Sequence, residues 1–284
     1  MAKYKVSIDA GHSLITPGKR TPKLNKDLIV NGKVIKEKGQ IIHEFEFNIK
    51  VAKALKEALE RCGIEVKIVN DETGKVDTPL STRANRANIY NSNLHISCHY
   101  NAVGSCASFQ NRCHGVLVLR TRNGSNKSIK LANCVHDAIK NNYNHTYGVC
   151  RDVDMSGFTL AILRQTNMPA ILIEFGFMDY EDEAMKMLQP TWYKKLAEDT
   201  CKGICKYLGI AYKEIFKPYI SKPTVNDLNC RKGPGIEYDV KYVIGTDIAI
   251  TIVEEKQLEN GSVWCKAKSN YWVNKKYLKF IRYV

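Results

Sequence analysis

The chain has 284 residues, 44% of them hydrophobic and 25% charged, with 43 Lys and Arg against 29 Asp and Glu for a formal net charge of +14. This length accommodates one large domain and a small one, and the composition is that of a globular protein rather than a disordered or fibrous one. No apolar run approaches the roughly 20 residues that span a bilayer, so membrane insertion is not expected.

The opening "MAKYKVSIDAGH" carries a Lys but no long apolar segment and no small-residue cleavage site, so it does not read as a signal peptide. The expectation is a chain made in the cytoplasm that needs another agent to reach any target outside. "YKVSID" reads as a first strand running into Gly11 and His12. Residues 13–43 contain Pro17, Gly18, Pro22, Gly32 and Gly39 and read as a long loop that could line a substrate. "FEFNIKVAKALKEALERCG" places Ile49, Ala52, Leu55 and Leu59 at helical spacing and ends on Gly63. "IEVKIVN" follows as a strand. "TPLSTRANRANIYN" reads as a helix with Thr78 at its N-cap and Pro79 in its first turn.

"NLHISCH" and "HGVLVLR" are strands, and "NKSIKLANCVHDAIKNNY" is a helix. "FTLAILR" and "PAILIEF" read as apolar strands, and "TWYKKLAEDTCKGICKYLGI" is the last helix. This alternation predicts an α/β fold with an open, twisted, mostly parallel sheet flanked by helices. After Gly209 the character changes. "AYKEIFKPYISKP" contains two prolines and reads as a linker. Beyond it, short strands alternate with turns such as Gly233-Pro234-Gly235 and Asn260-Gly261, which predicts a small all-β barrel. The expected division is a first domain over 1–211, a linker over 212–222 and a β domain over 223–284.

The ten cysteines form no CxxC pair, and without a secretion signal they are expected as free thiols. Cys201 and Cys205 share a helix face as small apolar residues. Cys98, Cys106, Cys113 and His114 are close in sequence but match no common zinc module. Both parts of the chain are net positive, which suits an anionic cell-wall polymer, a nucleic acid or a surface kept basic for solubility. No run of five basic residues chooses among them, and no motif points to nucleic acid.

Titratable residues fall at strand ends. His12 follows the first strand, His99 follows "LHIS", and Glu174 ends "PAILIE". Ligand sites in open α/β sheets lie at the carboxyl ends of the strands, so these three should converge. The first turn of the long helix can bring Glu44 to them. Two neutral imidazoles and one carboxylate make a catalytic zinc site with a fourth position open, leaving the other carboxylate for acid–base work. A carboxylate inside "AILIEFGF" is costly to bury without a cation or a partner.

"IDAGH", "EFEFN", "SCHYNA" and "PAILIEFGF", together with "LSTRANRAN" and "LAILRQTNMPA", resemble the signature segments of zinc-dependent N-acetylmuramoyl-L-alanine amidases of autolysins and phage endolysins, in order over residues 4–209. The resemblance implies that His12, Glu44 and His99 bind one zinc ion and that Glu174 is the catalytic acid/base. Asn48 fits the family's Glu-x-x-x-Asn pattern and selects Glu44 over Glu46, with His43 and Glu37 as weaker rivals. Arg164 reads as a surface ion pair, or as a clamp for a substrate carboxylate.

The tail segments "LNCRKGPGIEYDVKYVIG" and "VWCKAKSNYWVNKKYLK" resemble bacterial SH3-like wall-binding modules, with Tyr271 where those modules carry a glycine. Trp264, Trp272 and Tyr277 can fill a small core, while Tyr238 and Tyr242 can stack on sugars or peptide. Together these resemblances imply a peptidoglycan hydrolase that cuts between N-acetylmuramic acid and L-alanine, most simply a phage endolysin released onto the wall. A zinc peptidase cutting within the stem peptide and a wall binder without turnover are the alternatives.

Overall fold

Val6, Ile8 and Ala10 are fully buried on strand β1 (Lys5–Ala10), but Ser7 and Asp9 between them are buried too, as befits a strand covered on both faces. The computed structural model describes residues 3–284, and the chain divides into two compact units with the boundary between Lys213 and Glu214.

After β1 come β2 (Leu28–Val30), β3 (Lys33–Lys36), α1 (Glu44–Arg61), β4 (Glu65–Ile68), α2 (Leu80–Ile89), β5 (Leu94–Asn101), β6 (Val116–Arg120) and α3 (Asn126–Ile139). The unit continues with β7 (Thr146–Arg151), α4 (Asp152–Ser156), α5 (Ala161–Arg164), β8 (Ala170–Phe177), α6 (Glu181–Ala184) and α7 (Pro190–Leu208). Six strands form one sheet in the order β4-β1-β5-β8-β6-β7. The first four are mutually parallel, and β6 runs antiparallel to β8, so the sheet is mixed. On one face α1, α3 and α7 cover a large core that includes Phe47, Leu55, Ile96, Val135 and Ile204. On the other, α2 and α5 cover a smaller core built on Leu117, Leu119, Ile162 and Leu172.

Several local expectations are corrected. The stretch "FTLAILR" is not a strand. Ala161–Arg164 form one helical turn that buries Ile162 and Leu163. The 13–43 segment is not all loop, because β2 and β3 pair as a hairpin around Asn31-Gly32. Both turn residues have positive φ, 50° and 77°, the conformation that an Asn-Gly hairpin turn supplies at least cost. Thr78 does not cap α2. Its hydroxyl accepts from the Asp71 N–H, and Pro79 is the residue before the helix.

The second unit holds β9 (Tyr219–Pro223), β10 (Leu228–Arg231), β11 (Val240–Ile244), β12 (Ile250–Gln257), β13 (Val263–Ala267), β14 (Tyr271–Asn274) and β15 (Leu278–Tyr283). They form one antiparallel sheet in the order β11-β10-β14-β13-β12-β9-β15. No pairing joins β11 to β15 among the described residues, so the sheet is not the closed barrel expected. The expected linker also ends earlier, since Tyr219–Pro223 pair with both β12 and β15 and Tyr219 lies in the core. Trp264 and Trp272 are buried, whereas Tyr238, Tyr242 and Tyr277 remain exposed. No helix of the described residues is long and apolar enough to cross a membrane.

Candidate active site

Glu44 is the first residue of α1, and its carboxylate is almost completely buried. Its Oε1 lies 3.0 Å from His99 Nδ1 and accepts from the Tyr100 N–H at 3.0 Å and from Asn48 Nδ2 at 3.1 Å. Its Oε2 lies 3.3 Å from His12 Nε2. Asn48, one helical turn on, also donates to the Gly11 carbonyl, which ties α1 to the end of β1. Burial opposes ionisation of Glu44, but His12 and His99 outweigh it and hold the carboxyl down at about 2. Glu46 is turned elsewhere. It accepts from the His43 N–H and pairs with Lys36, closing the helix start as an acidic third residue does.

His12 follows β1 in a left-handed conformation with φ of 64°, uncommon for a side chain with a Cβ. Arg83 of α2 holds this turn. It is buried, pairs with Asp9 Oδ1 at 2.9 Å, and donates to the carbonyls of Ala10 and His12 at 3.2 and 3.1 Å. Ser97 donates to the other Asp9 oxygen at 2.9 Å. Burial opposes ionisation of Asp9, but Arg83, His95 and His99 keep its carboxyl below the usual range. Removing one partner of such a buried pair strands the other. Arg83→Met is therefore expected to lower stability by roughly 3–5 kcal/mol, read from the denaturant midpoint. A change within about 0.5 kcal/mol, the range of ordinary surface substitutions, would mean that the pair contributes nothing.

His99 and Glu174 sit inside their strands rather than after them, and they are direct partners in the parallel pairing of β5 with β8. Because strand side chains alternate, this register puts both on the same face. Gly11 makes room for the imidazole: a Cβ there would lie 2.1 Å from His99 Cε1. The two imidazoles meet edge to face with centroids 4.9 Å apart. Burial lowers the His12 imidazole to about 4, in spite of Glu44, so near neutral pH it is uncharged and free to act as a ligand.

One donor atom each from His12, Glu44 and His99 lies within 4.8 Å of the others. Glu174 borders the same cleft of about 380 Å³. Its Oε2 is sealed from solvent and accepts no hydrogen bond from the described residues. Burial raises its carboxyl to about 7, with His99 opposing and Glu44 adding to the rise. An apolar cleft of about 320 Å³, walled by Leu80, Leu119, Phe158 and Ile162, also reaches Glu174. Glu174, His12, His99, Lys19 and Asn101 border both clefts.

Other candidates lie elsewhere. Glu37 is exposed, and neither it nor His43 lines either cleft. Arg164 makes no ion pair among the described residues. It donates to Thr159 and borders a separate cleft of about 740 Å³ beside Pro169, at the N-terminal end of β8. That cleft is lined by no carboxylate or imidazole among the described residues, so it holds no donor set like that of His12, Glu44 and His99. Cys98, Cys106, Cys113 and His114 do not come together as a metal-binding group among the described residues. Sequence reasoning missed Arg83 and Lys19. The helix "LSTRANRAN" contained the first, but nothing in its spacing told that Arg83 would reach back to Asp9.

The 29%-identical alignment with the endolysin of Bacillus phage SPP1 runs over 173 residues, 61% of this chain and 60% of that protein. The chain thus spans less than two thirds of that relative. An N-acetylmuramoyl-L-alanine amidase from Clostridium difficile 630 superposes with a TM-score of 0.58 at 25% identity, covering 74% of this chain and 98% of that one. The catalytic domain of the CD27L endolysin, which targets Clostridia difficile, superposes with a TM-score of 0.51 at 21% identity over 72% of this chain and 97% of that domain, a likeness of fold. The model of the N-acetylmuramoyl-L-alanine amidase family matches residues 6–206, which takes in His12, Glu44, His99 and Glu174. By that match the chain belongs to the N-acetylmuramoyl-L-alanine amidase family.

Proposed function

We propose that the chain is a zinc-dependent peptidoglycan amidase of the endolysin kind, hydrolysing the amide between the lactyl group of N-acetylmuramic acid and the L-alanine of the stem peptide. The observation that carries this reading is the gathering of His12, Glu44 and His99 beside a carboxylate with an unpartnered buried oxygen. The donor set fits zinc: two imidazoles and a carboxylate are its usual catalytic ligands. When bound, zinc supplies a Lewis acid for the scissile carbonyl and makes water acidic enough to ionise near pH 7.

The chain's own residues do the rest. Glu44 and His99 are held in place by Asn48, the Tyr100 N–H and the space left at Gly11. Glu174, whose Oε2 accepts no hydrogen bond from the described residues, takes the proton from the attacking water and returns it to the leaving amine. The two clefts meeting at Glu174 offer one arm to each side of the scissile bond. The test is mass spectrometry of digested walls. A new L-alanine amino terminus with intact muramic acid is expected. Cleavage inside the stem peptide would identify a peptidase, and no release of peptide would identify a binder.

The second unit is read as an SH3-like wall-binding module. Its motifs, net positive charge and exposed Tyr238, Tyr242 and Tyr277 support that reading. Because β9 lies between β12 and β15, a fragment must begin before Tyr219. Residues 214–284 are expected to sediment with purified walls and to be released as salt rises, since exposed charges are screened within about 10 Å at 0.1 M. A fragment begun at residue 223 should fail to fold. A folded 214–284 fragment that ignores walls at low salt would remove the targeting role.

A further inference from the structure

Cys201 and Cys205 have a third partner that their spacing did not announce. Cys62 caps the C-terminal end of α1, and its Sγ lies 3.8 Å from Cys201 Sγ, while the Cys201 and Cys205 sulfurs are 3.9 Å apart across one turn of α7. All three sulfurs lie within 4.8 Å of one another and all three residues are buried. Apart from the group at His12, this is the one cluster of three or more metal-donor side chains among the described residues. It lies on the face of the sheet covered by α1, α3 and α7 and shares no residue with the His12 group.

We propose that Cys62, Cys201 and Cys205 form a trithiolate site for a soft d10 cation of the zinc and copper(I) class. With metal–sulfur bonds of about 2.3 Å, the sulfur–sulfur edge is about 3.8 Å in tetrahedral and about 4.0 Å in trigonal coordination. The Cys62–Cys201 and Cys201–Cys205 edges match that span before any side chain moves. Thiolates favour soft ions over magnesium or calcium, and no carboxylate or imidazole of the described residues joins the cluster. A disulfide would use only two of the sulfurs and leave the third unpaired.

An outer partner is already in position, because the backbone N–H of Lys213 points at Cys62 Sγ at 3.3 Å. Such donors orient and tune thiolate ligands. On binding, the S–H bonds of the three thiols break, metal–sulfur bonds form, and the protons leave to solvent. The ion would fasten the end of α1 to α7 and to the segment at Lys213, which Arg61 already holds through the Lys213 carbonyl at 2.9 Å. Its role is structural, since the sulfurs border none of the clefts at Glu174.

The experiment uses the full chain, reduced and anaerobic, carrying His12→Ala and His99→Ala so that the other donor set is disabled. Titration with Cd2+ is expected to develop thiolate-to-metal charge-transfer absorption that saturates at one equivalent, and to raise the melting temperature. The bound ion should shield Cys62, Cys201 and Cys205 from alkylation, mapped by peptide mass, and leave the other cysteines unchanged. Adding Cys201→Ser, or separately Cys62→Ser at the helix end, should abolish the absorption while circular dichroism shows a folded chain. No charge-transfer band, a band unaffected by both substitutions, or a Cys62–Cys201 disulfide that persists in reductant would each overturn the proposal.

Discussion

Glu174→Gln is expected to turn over at least about 10²-fold more slowly than the native protein, the ordinary cost of removing a general base. It should fold, keep its zinc and still sediment with walls. The substitution preserves shape and hydrogen bonding but cannot take a proton. Glu174 Oε2 has no partner to lose among the described residues, so the change breaks no network. Burial disfavours the charged carboxylate, as its rise to about 7 records, so the neutral amide is expected to leave stability unchanged or raise it. The measurements are metal content by elemental analysis, stability by denaturation and rate by turbidity loss of wall suspensions. A variant that loses its zinc would make Glu174 a ligand and send Glu44 back for reassignment. A variant with zinc and full rate would move the base elsewhere.

The second large effect concerns the metal. Exhaustive chelation is expected to abolish lysis, and added zinc to restore it. His12→Ala and His99→Ala should each lose activity and the ion bound at that site. His99→Ala also removes the imidazole 3.0 Å from Glu44 Oε1 that helps hold its carboxyl down. Its carboxyl is held at about 2 chiefly because His12 and His99 outweigh its burial. Stability supplied by that depressed carboxyl is present above its unfolded value and is lost as pH falls through the folded one. His99→Ala should therefore give up part of the stability present above a pH of about 4.5, with the difference from the native protein shrinking as pH falls toward about 2. A chelated native protein that remains fully lytic would sink the zinc reading altogether.

What could be read from the sequence follows a physical division. β8 announces itself as an apolar run, while β1 and β5 show apolar residues alternating with polar ones such as Ser7, Asp9, His95 and Ser97, so all three are legible, and with them the placement of His12, His99 and Glu174. Helix α1 was visible from its period, and Asn48 four residues after Glu44 separated that residue from Glu46. Elements shorter than a period were not visible. "LAILR" is as apolar as a strand, and only its packing against the outer face of the sheet makes it helical. β9 was hidden by its own proline and by a neighbouring one: Pro223 is the last residue of the strand, paired with Leu278, and Pro218 lies just before it. The Asn31-Gly32 turn is legible in principle, since apolar Leu28–Val30 and Val34-Ile35 flank it. Contacts distant in sequence left no local trace at all, which is why Arg83 with Asp9 and Cys62 with Cys201 emerge only from the fold.

The pairing of Glu174 with His99 sets how this molecule can change length. Each strand residue alternates in direction, so a single insertion or deletion between Pro169 and Glu174 would present Ile173 or Phe175 where the carboxylate now stands. Both are fully buried on their present faces, and both would leave their core as the acid entered it. Inheritance at β8 is thus quantised: lineages can substitute there but cannot add or drop one residue. The hairpin of Leu28–Val30 and Lys33–Lys36 pairs only with itself, so it can lengthen, shorten or be exchanged without shifting any register in the main sheet. Variation in length has room to accumulate there, while the strand that carries Glu174 stays fixed in count.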